Sequence, residues 1–594
     1  MTEQSDRAGT QRKQPAPSSL NRLSRWLPSL RWVRTYDRST ARADVLAGIT
    51  VAVMLVPQGM AYAALAGMPP VTGLYASIFP LLVYALLGTS RTLAVGPVAI
   101  VALLTNTALL PLADGDPNRY LVLGAALAGL VGLIQLILGL ARLGTLVNLL
   151  SHSVLSGFTS AAAIVIGTSQ VKNLLGLEME RTEGFTHTVT ALIGALPTIH
   201  WPTVAVGVLG LVLLVLAKKR APRLPAALIV VALVTAASAV FGFGEMGIAI
   251  LKEVPAGLPT PGIPAVGVQD LISLLPSALT IAVIGYVEGV SIAKALAARD
   301  RETVDPNAEL VAVGAANIAA GLFRAFPVAG GFSRTAVNHQ AGARTPAASI
   351  VTALIVGLAV LLFTPLFFHL PNAVLAAIII VAVAGLVDLR TPVQTWRTRR
   401  ADGLAVAVTF AGTLLLGIEA GIALGVALSI ANFVWESSRP HMAELGRVRG
   451  TPVYRNVERY ETEGDPSVLL LRVDAPLFFA NAQNVSDRVL ALVAQRPAVR
   501  FVVLDASAVT DVDADGAHTL HELDRRLADS DIALHLTTVR GPVRDLLVRS
   551  GDWSALSERS HADIPAAVQA IGLDGDSPLL IKSPHPPQMT PEVF

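Results

Sequence analysis

Long apolar segments alternate with short polar loops from about residue 44 to residue 435 of this 594-residue chain. Most of these segments are long enough to cross a lipid bilayer and carry few charges. The pattern predicts fourteen helices, near 44–66, 71–87, 93–111, 120–141, 150–171, 201–217, 223–241, 271–298, 306–323, 333–343, 347–368, 372–388, 402–416 and 418–435. The polar loop at 242–270 separates seven helices from seven more, and an odd number in each half makes the halves inverted repeats in the membrane.

Two of these segments are interrupted by Gly and Pro. The first reads TLAVGPVAIVALL over 92–104, and the second reads FPVAGGFSRTAVNHQAGA over 326–343. Backbone freed by such breaks is tolerated at membrane depth only inside protein or beside a cavity. A helix that begins there directs its N–H groups and the positive end of its dipole into that cavity. The two segments therefore predict an anion site, although two ordinary kinked helices would give the same pattern.

The pattern changes at about residue 450. Short aliphatic runs near 468–473, 501–505 and 532–536 alternate with polar helical stretches near 482–495, 514–528, 541–550 and 563–571. This alternation predicts a small soluble α/β domain on the cytoplasmic side. The predicted organisation is an N-terminal segment 1–43, a transmembrane domain 44–435 with repeats at about 44–241 and 271–435, a linker 436–449, the α/β domain 450–572 and a tail 573–594.

Composition supports a membrane protein. Hydrophobic residues make up 53% of the chain and charged residues 15%, whereas soluble domains carry about 25% charged residues. The net charge of +2 gives no indication of a nucleic-acid partner. The absence of Cys excludes disulfides and thiolate metal sites.

Charges in the loops predict the orientation. With the N-terminus placed inside, the even-numbered connections hold most of the basic residues: Arg91, Arg142, Lys218, Lys219, Arg220, Arg299, Arg301, Arg344, Arg397, Arg399, Arg400 and Arg439. The other loops carry fewer basic residues and several acidic ones. This positive-inside distribution predicts a multi-pass protein of the cell membrane with both termini in the cytoplasm.

Several motifs resemble those of the SulP (sulfate permease) family of anion transporters with a C-terminal STAS domain. The membrane motifs are PQGMAYA at 57–63, the segment 73–91, VGPV at 95–98, EGVSIAKALA at 288–297 and the segment 327–343. The STAS motifs are DAPLFFANA at 474–482 and VVLDASAVTDVDADG at 502–516. The resemblance covers roughly residues 44–572.

This resemblance implies the uracil-permease-like fold, in which fourteen helices form 7+7 inverted repeats. Helices 1–4 and 8–11 would form a core domain that holds the substrate, and helices 5–7 and 12–14 a gate domain that makes the dimer contact. It also implies a homodimer with a regulatory STAS domain. The family's substrates include sulfate, bicarbonate, chloride, oxalate and dicarboxylates.

The first helix and the first broken segment supply four candidate substrate-binding residues. Gln58 and Tyr62 lie one turn apart and share a helix face, so an amide and a phenol could donate hydrogen bonds to an oxyanion. Val98 and Ala99 would offer backbone N–H groups at a helix N-terminus. Tyr62 could instead be an ordinary packed aromatic residue.

The second broken segment supplies three more candidates. Phe332, Ser333 and Arg334 would offer backbone N–H groups, with a hydroxyl from Ser333 and a fixed positive charge from Arg334. Alternatively, Arg334 could be structural and pair with Glu288 or with a carbonyl group. Both roles are compatible with an anion site.

Glu288 is the candidate for proton coupling, because an intramembrane carboxylate is a functional candidate by default. It could instead form a fixed ion pair. Sodium-dependent bicarbonate transporters that resemble this family carry a second carboxylate one turn later, where this chain has Ile292. That departure favours protons over sodium as the coupling ion.

Together these features predict secondary active transport of an inorganic oxyanion, with sulfate as the expected substrate, by proton-coupled symport and elevator-type alternating access. Bicarbonate or C4-dicarboxylate transport, an exchanger or channel of the same fold, and a membrane-anchored sensor are the alternatives. The chain shows no ATPase or catalytic motif, so we expect neither a pump nor an enzyme. We expect no cofactor and no metal, since His518 and His521 lack a clear third ligand.

Overall fold

The computed structural model describes residues 32–33, 36–145, 151–179, 182, 184–220, 225–252, 254–551 and 553–572. Most of the predicted N-terminal segment and the whole predicted tail 573–594 lie outside these residues. The chain divides into two compact units between Ala427 and Leu428.

Every predicted membrane helix has a counterpart in the structure. The helices are α1 (Arg38–Leu65), α2 (Pro70–Tyr75), α3 (Phe79–Leu87), α4 (Ala99–Leu109), α5 (Pro117–Leu140), α6 (His152–Leu175), α7 (Phe185–Ala195), α8 (Trp201–Arg220), α9 (Ala226–Phe241), α10 (Val268–Arg299), α11 (Pro306–Leu322), α12 (Phe332–Gln340), α13 (Ala347–Leu362), α14 (Asn372–Ala384), α15 (Arg390–Thr398), α16 (Arg400–Leu415) and α17 (Ile418–Ser437). Seven spans in the described part of the chain are long and apolar enough to cross a bilayer on their own. The others are shorter.

Three departures from the predicted helices have local causes. The second predicted helix is broken between Tyr75 and Phe79 into α2 and α3. The third begins at Ala99 instead of near residue 93, because Gly96 has a φ of 154° and Pro97 follows it. The short helices α7 and α15 were missed, since a search for long apolar runs passes over them.

Two short strands connect the halves of the membrane unit. Strand β1 (Val95–Gly96) pairs antiparallel with β2 (Ala329–Gly330), and each strand is followed within a few residues by α4 or α12. Close helix packing surrounds this crossing. A Cβ added to Gly132 of α5 would lie 2.6 Å from the carbonyl oxygen of Gly314 in α11, so the two helices touch backbone to backbone.

The second unit contains an α/β sheet. Its strands are β3 (Met442–Val448), β4 (Tyr454–Asn456), β5 (Thr462–Glu463), β6 (Val468–Val473), β7 (Phe501–Asp505), β8 (Ala533–Thr537) and β9 (Ser560–His561), and its helices are α18 (Ala482–Ala494), α19 (Ala514–Ala528), α20 (Gly541–Ser550), α21 (Trp553–Ser557) and α22 (Ile564–Ala570). The strand order is β4-β3-β6-β7-β8-β9, with β6 to β9 parallel, and β5 pairs with β3.

The predicted strands and helices of this domain are confirmed to within a few residues, but its first strand was missed. The segment predicted as a linker, 436–449, contains β3, which pairs antiparallel with β6. Strand β3 has a mixed sequence, MAELGRV, and only Ala443, Leu445 and Gly446 of it are buried. An aliphatic run is therefore absent there, and the sheet begins before the composition changes.

Candidate functional site

Two helix N-termini lie next to the crossing of β1 and β2. Val98 and Gly331 are the N-caps of α4 and α12, and neither helix start has a side-chain cap. The crossing is held by hydrogen bonds: the Gly331 N–H donates to the Ala94 carbonyl at 3.0 Å, and the Ala94 N–H donates to Thr335 Oγ1 at 3.1 Å. The positive ends of two helix dipoles are therefore fixed beside each other, with N–H groups left for a ligand.

A cavity of about 420 Å³ lies at these helix starts. All eight residues predicted to act on the anion or the proton line it: Gln58, Tyr62, Val98, Ala99, Glu288, Phe332, Ser333 and Arg334. Its other walls come from α8, α9 and α14, through residues that include Leu214, Ala226 and Ile378. The structure thus brings the predicted residues together from four separate helices.

Arg334 is buried, with 2% of its surface exposed. Its Nη1 donates to the Pro97 carbonyl at 2.6 Å, while Nε and Nη2 are buried without a hydrogen-bond partner. Gly331 makes room for it, because a Cβ at that position would lie 2.7 Å from Nη2. The predicted carbonyl pairing is therefore present, and two donors remain for a ligand.

Glu288 lines the same cavity from α10. Its Oε2 is buried without a hydrogen-bond partner, and among the described residues no ion pair links it to Arg334. The next residue, Gly289, lies against Gly330 of β2, since a Cβ at 289 would be 3.2 Å from the Gly330 Cα. Glu288 is thus held beside the strand crossing without being neutralised by a direct partner.

The remaining predicted residues differ in exposure. Gln58 and Tyr62 are each 7% exposed and project from one side of α1. Val98 and Ala99 are buried, whereas Phe332 and Ser333 are exposed. Ile292 is 4% exposed and packs in the hydrophobic core.

Sequence reasoning missed Lys218 as a cavity residue. It was predicted only as a loop charge, but it lies in the last turn of α8 and lines the cavity together with Leu214, four residues earlier. The signal was present in the helical spacing of these two residues. Lys218 places a second positive charge at the cavity.

Sequence reasoning also missed a buried polar contact between the two repeats. Glu309 of α11 is 1% exposed and accepts four hydrogen bonds, from the Tyr84 hydroxyl, the Thr89 N–H and hydroxyl, and the Ser90 N–H, at 2.6–2.8 Å. Asn317 lies on the same helix, eight residues after Glu309. It accepts a hydrogen bond from the Val328 N–H and donates to Gln135 and to the Val328 carbonyl. These contacts fix the segments that lead into β1 and β2.

No group of three or more His, Asp or Glu side chains suitable for a metal occurs in the part of the chain that the structure describes. The two histidines considered above as metal ligands, His518 and His521, both lie on α19. The cavity is lined by hydrogen-bond donors, by the positive charges of Arg334 and Lys218 and by the carboxylate of Glu288.

Comparisons with known proteins identify the family of both parts of the chain. The family model for the Sulfate permease family matches residues 42–409, and the model for the STAS domain matches residues 459–552. The chain is 40% identical to the chloroplastic sulfate transporter 4.1 of Arabidopsis thaliana over 554 residues, which cover 89% of this chain and 80% of the relative. It is also 40% identical to a probable sulfate transporter of Mycobacterium tuberculosis over 549 residues, 92% of this chain and 98% of the relative.

A solved structure shares the whole fold. The murine Solute Carrier 26 family member A9 anion transporter, solved in the inward-facing state, superposes with a TM-score of 0.88 and is 26% identical, covering 95% of this chain and 97% of that chain. The predicted fold is therefore confirmed: fourteen membrane helices in inverted repeats, with a C-terminal STAS domain. The chain belongs to the sulfate permease family, whose members are membrane transporters rather than enzymes.

Proposed function

We propose that this protein is a secondary active transporter of an inorganic oxyanion, with sulfate as its substrate. The observation that carries the proposal is Arg334, a buried guanidinium with two unpartnered donors at a cavity between two uncapped helix N-termini. Relatives named as sulfate transporters, each about 40% identical over most of the chain, support the choice of sulfate.

The site offers a tetrahedral dianion several kinds of donor. Arg334 Nε and Nη2 suit two oxygens of one anion, because a guanidinium presents its donors as a fork. Backbone N–H groups of Ala99 and Ser333 and the side chains of Gln58 and Tyr62 would reach the remaining oxygens. Only one full positive charge is buried there, so the anion is bound without being trapped.

Lys218 would serve a different purpose. It is exposed at the cavity, whereas Arg334 is buried. An exposed cation at the entrance raises the local anion concentration and speeds binding. We therefore assign attraction to Lys218 and recognition to Arg334.

Proton coupling is assigned to Glu288. Its Oε2 has no hydrogen-bond donor, so its charge state is free to follow the occupancy of the cavity. A proton taken up there would offset part of the negative charge of a bound dianion. Ile292, an aliphatic residue one turn later, offers no second carboxylate for sodium.

The helices that line the cavity support an elevator mechanism. Gln58, Val98, Glu288 and Arg334 belong to helices of the expected core domain, whereas Leu214 and Ile378 belong to the expected gate. A second cavity of about 800 Å³ lies further along α1 and α14, lined by residues that include Leu65 and Leu375. Movement of the core along this shared wall would carry the anion from one cavity to the other.

We further propose a homodimer in the cell membrane with both termini in the cytoplasm. STAS would regulate transport without lining the permeation path, because the residues assigned to the anion all belong to the membrane unit. Strand β3 begins at Met442, so a truncation that tests this division should end near Ser438. We expect the truncated protein to bind the anion with altered rate or dimer stability; a folded, monodisperse truncation that cannot bind would assign part of the site to STAS.

The decisive binding experiment replaces Arg334 by Ala. Sulfate affinity of the detergent-solubilised protein, measured by isothermal titration calorimetry, should fall at least ~100-fold, since two charge-assisted hydrogen bonds are lost. Arg324→Ala is the matched control, because Arg324 is exposed and lies outside the cavity. Unchanged affinity in a monodisperse Arg334→Ala protein would remove Arg334 from the site.

Substrate and coupling are tested by uptake into proteoliposomes. Radiolabelled sulfate, bicarbonate and a C4-dicarboxylate would each be offered with an imposed proton gradient, an imposed sodium gradient or neither. We expect sulfate uptake to accelerate with an inward proton gradient and to ignore sodium. Uptake that requires sodium and ignores pH would contradict the coupling, and uptake of bicarbonate alone would replace the substrate.

A further inference from the structure

The short helix α15 lies in the polar loop between α14 and α16, and it carries an exposed apolar stripe. Leu389 at its N-cap, Val393 and Trp396 are 77%, 54% and 51% exposed. Their spacing of four and three residues places them on one side of the helix. The helix has only nine residues, and none of them is fully buried. Packing inside the protein therefore does not explain why three apolar side chains lie together on one side of it.

Two arginines lie next to the stripe. Arg390 and Arg397 are exposed and seven residues apart, which places them on the same side of α15 at about 10 Å along its axis. Neither guanidinium forms a hydrogen bond or an ion pair with any residue that the structure describes. Two cations are therefore available at one edge of an exposed apolar surface.

The orientation of α15 is fixed by its neighbours. Asp388 accepts hydrogen bonds from the Arg390 and Thr391 N–H groups at 2.9 and 3.1 Å. Ser156 of α6 donates its hydroxyl to the same carboxylate at 3.2 Å, and the Asp388 N–H donates to Ser160 Oγ at 3.0 Å. These hydrogen bonds fix how α15 is attached to α6, and they leave the apolar stripe and the two arginines on an exposed side of the helix.

The ring of Trp396 is fixed from the other side. A Cβ added to Gly403 of α16 would lie 2.7 Å from Trp396 Cε3, so the indole rests against a glycine backbone while about half of it stays exposed. Trp at the boundary between apolar and polar surroundings is typical of the headgroup region of a bilayer.

We propose that α15 lies in the inner-leaflet interface and binds the phosphate of an anionic phospholipid through Arg390 and Arg397. Leu389, Val393 and Trp396 would enter the boundary of the acyl chains, as the apolar face of an interfacial helix does. Guanidinium groups match phosphate oxygens in a bidentate way. The positive-inside distribution places this loop on the cytoplasmic side, where anionic lipids attract basic segments.

This binding would reach the transport cavity through a short path. Gly385 and Leu386, which precede Asp388 by three and two residues, line the cavity just after the end of α14. Asp388 also bonds to α6. A lipid bound at α15 therefore holds two helices of the expected gate at the bilayer surface, and it is expected to alter the rate of transport without contacting the anion.

Fluorescence quenching of the full-length protein in vesicles tests the proposal. The vesicles would contain phosphatidylcholine with either brominated phosphatidylglycerol or brominated phosphatidylcholine, and the signal of Trp396 would be taken as the difference between the wild type and Trp396→Phe. We expect stronger quenching by phosphatidylglycerol, because each arginine near an anionic surface favours binding by roughly fivefold. The double variant Arg390→Gln with Arg397→Gln should remove this preference while Trp396 stays quenched by both lipids.

The matched control removes two exposed arginines elsewhere. Arg525→Gln with Arg544→Gln in the STAS domain changes the net charge equally and should leave the lipid preference intact. Equal quenching by both lipids in the wild type would overturn headgroup recognition. No quenching by either lipid would mean that STAS or a second copy of the chain covers α15, and it would overturn the proposal as a whole. Folding of each variant is checked by its anion affinity, because α15 contributes no side chain to the anion site.

Discussion

Two carboxylates on consecutive membrane helices have opposite surroundings. Glu309 of α11 accepts four hydrogen bonds from the end of α3 and the turn after it. Glu288 of α10 lines the cavity, and its Oε2 accepts none. Hydrogen-bond donors hold the Glu309 carboxylate in one position, whereas the buried Oε2 of Glu288 is left without a partner.

The two carboxylates also differ in which parts of the chain they contact. Glu309 joins the first repeat to the second, through residues about 220 positions away in the sequence. Glu288 lines the cavity that Arg334 also lines, and the residue after it, Gly289, lies against Gly330 of β2. An intramembrane carboxylate therefore does not identify a coupling site until its hydrogen bonds are known.

The largest effect should come from removing Glu309. Glu309→Ala leaves the Tyr84 hydroxyl, the Thr89 N–H and the Ser90 N–H buried without acceptors, at about 1–3 kcal/mol each. We expect loss of the monodisperse protein or a large fall in its thermal midpoint, measured by fluorescence size-exclusion after heating. Glu302→Ala is the control, since it removes one exposed pair with Arg91 and should cost less than about 1 kcal/mol.

Glu288→Gln should separate function from stability. No donor to Oε2 is lost, so the thermal midpoint should stay close to that of the wild type. Acceleration of sulfate uptake by an inward proton gradient should disappear, although exchange of bound anion can continue. If Glu288→Gln is as unstable as Glu309→Ala, the carboxylate is structural and the contrast between the two is wrong.

A smaller effect is expected from Gly330→Ala, which tests how closely Glu288 depends on the strand crossing. The new Cβ would lie 2.7 Å from the Gly289 Cα, so β2 must move away from α10 and Arg334 must move with it. We expect sulfate affinity to fall roughly tenfold, the size of about 1–3 kcal/mol of overpacking. Gly357→Ala in α13, where a Cβ would meet no atom within 4 Å, should leave affinity unchanged; equal affinity in both variants would show that the close approach is not needed.

A second comparison of titratable groups, an Arg–Asp pair and a His–His pair in the STAS domain, gives the smallest expected effect. Arg559 forms two hydrogen bonds with the Asp524 carboxylate, whereas His535 of β8 lies 2.9 Å from His561 of β9, between Nδ1 and Nε2. Burial lowers the pKa of His535, and the His561 and Arg559 charges lower it further, against a smaller opposite effect of Asp524.

The pH dependence follows from this direction. Because the unfolded chain binds a proton on His535 more readily than the folded chain, stability is present at neutral pH and is lost as the pH falls through about 6.5. Hydrogen exchange of the β8 segment in the full-length protein, divided at each pH by the intrinsic rate of an unprotected amide, should therefore speed up between neutral and mildly acidic pH. His535→Gln should make that exchange less dependent on pH, and an unchanged dependence would exclude the His pair as its cause.

Much of the anion site could be predicted from the sequence, because its signals are local. Gly96-Pro97 and Gly330-Gly331 break apolar segments, and a break at membrane depth needs a cavity whichever way the helices pack. The one-turn spacing of Gln58 and Tyr62 likewise requires only a helix. Such local signals were enough to select eight residues that all line one cavity. The roles of these residues in binding and coupling stay predictions.

The tertiary structure decided what the local signals leave open. Whether Arg334 pairs with Glu288 or with a carbonyl depends on distances between separate helices, and the Pro97 carbonyl is the partner. The four donors around Glu309 come from the end of α3 and the turn after it, and neither segment gives any sign of its distant acceptor. Periodicity and breaks determine which segments are helices and where they start, whereas hydrogen-bond partners, and with them the roles of identical side chains, depend on which segments meet in space.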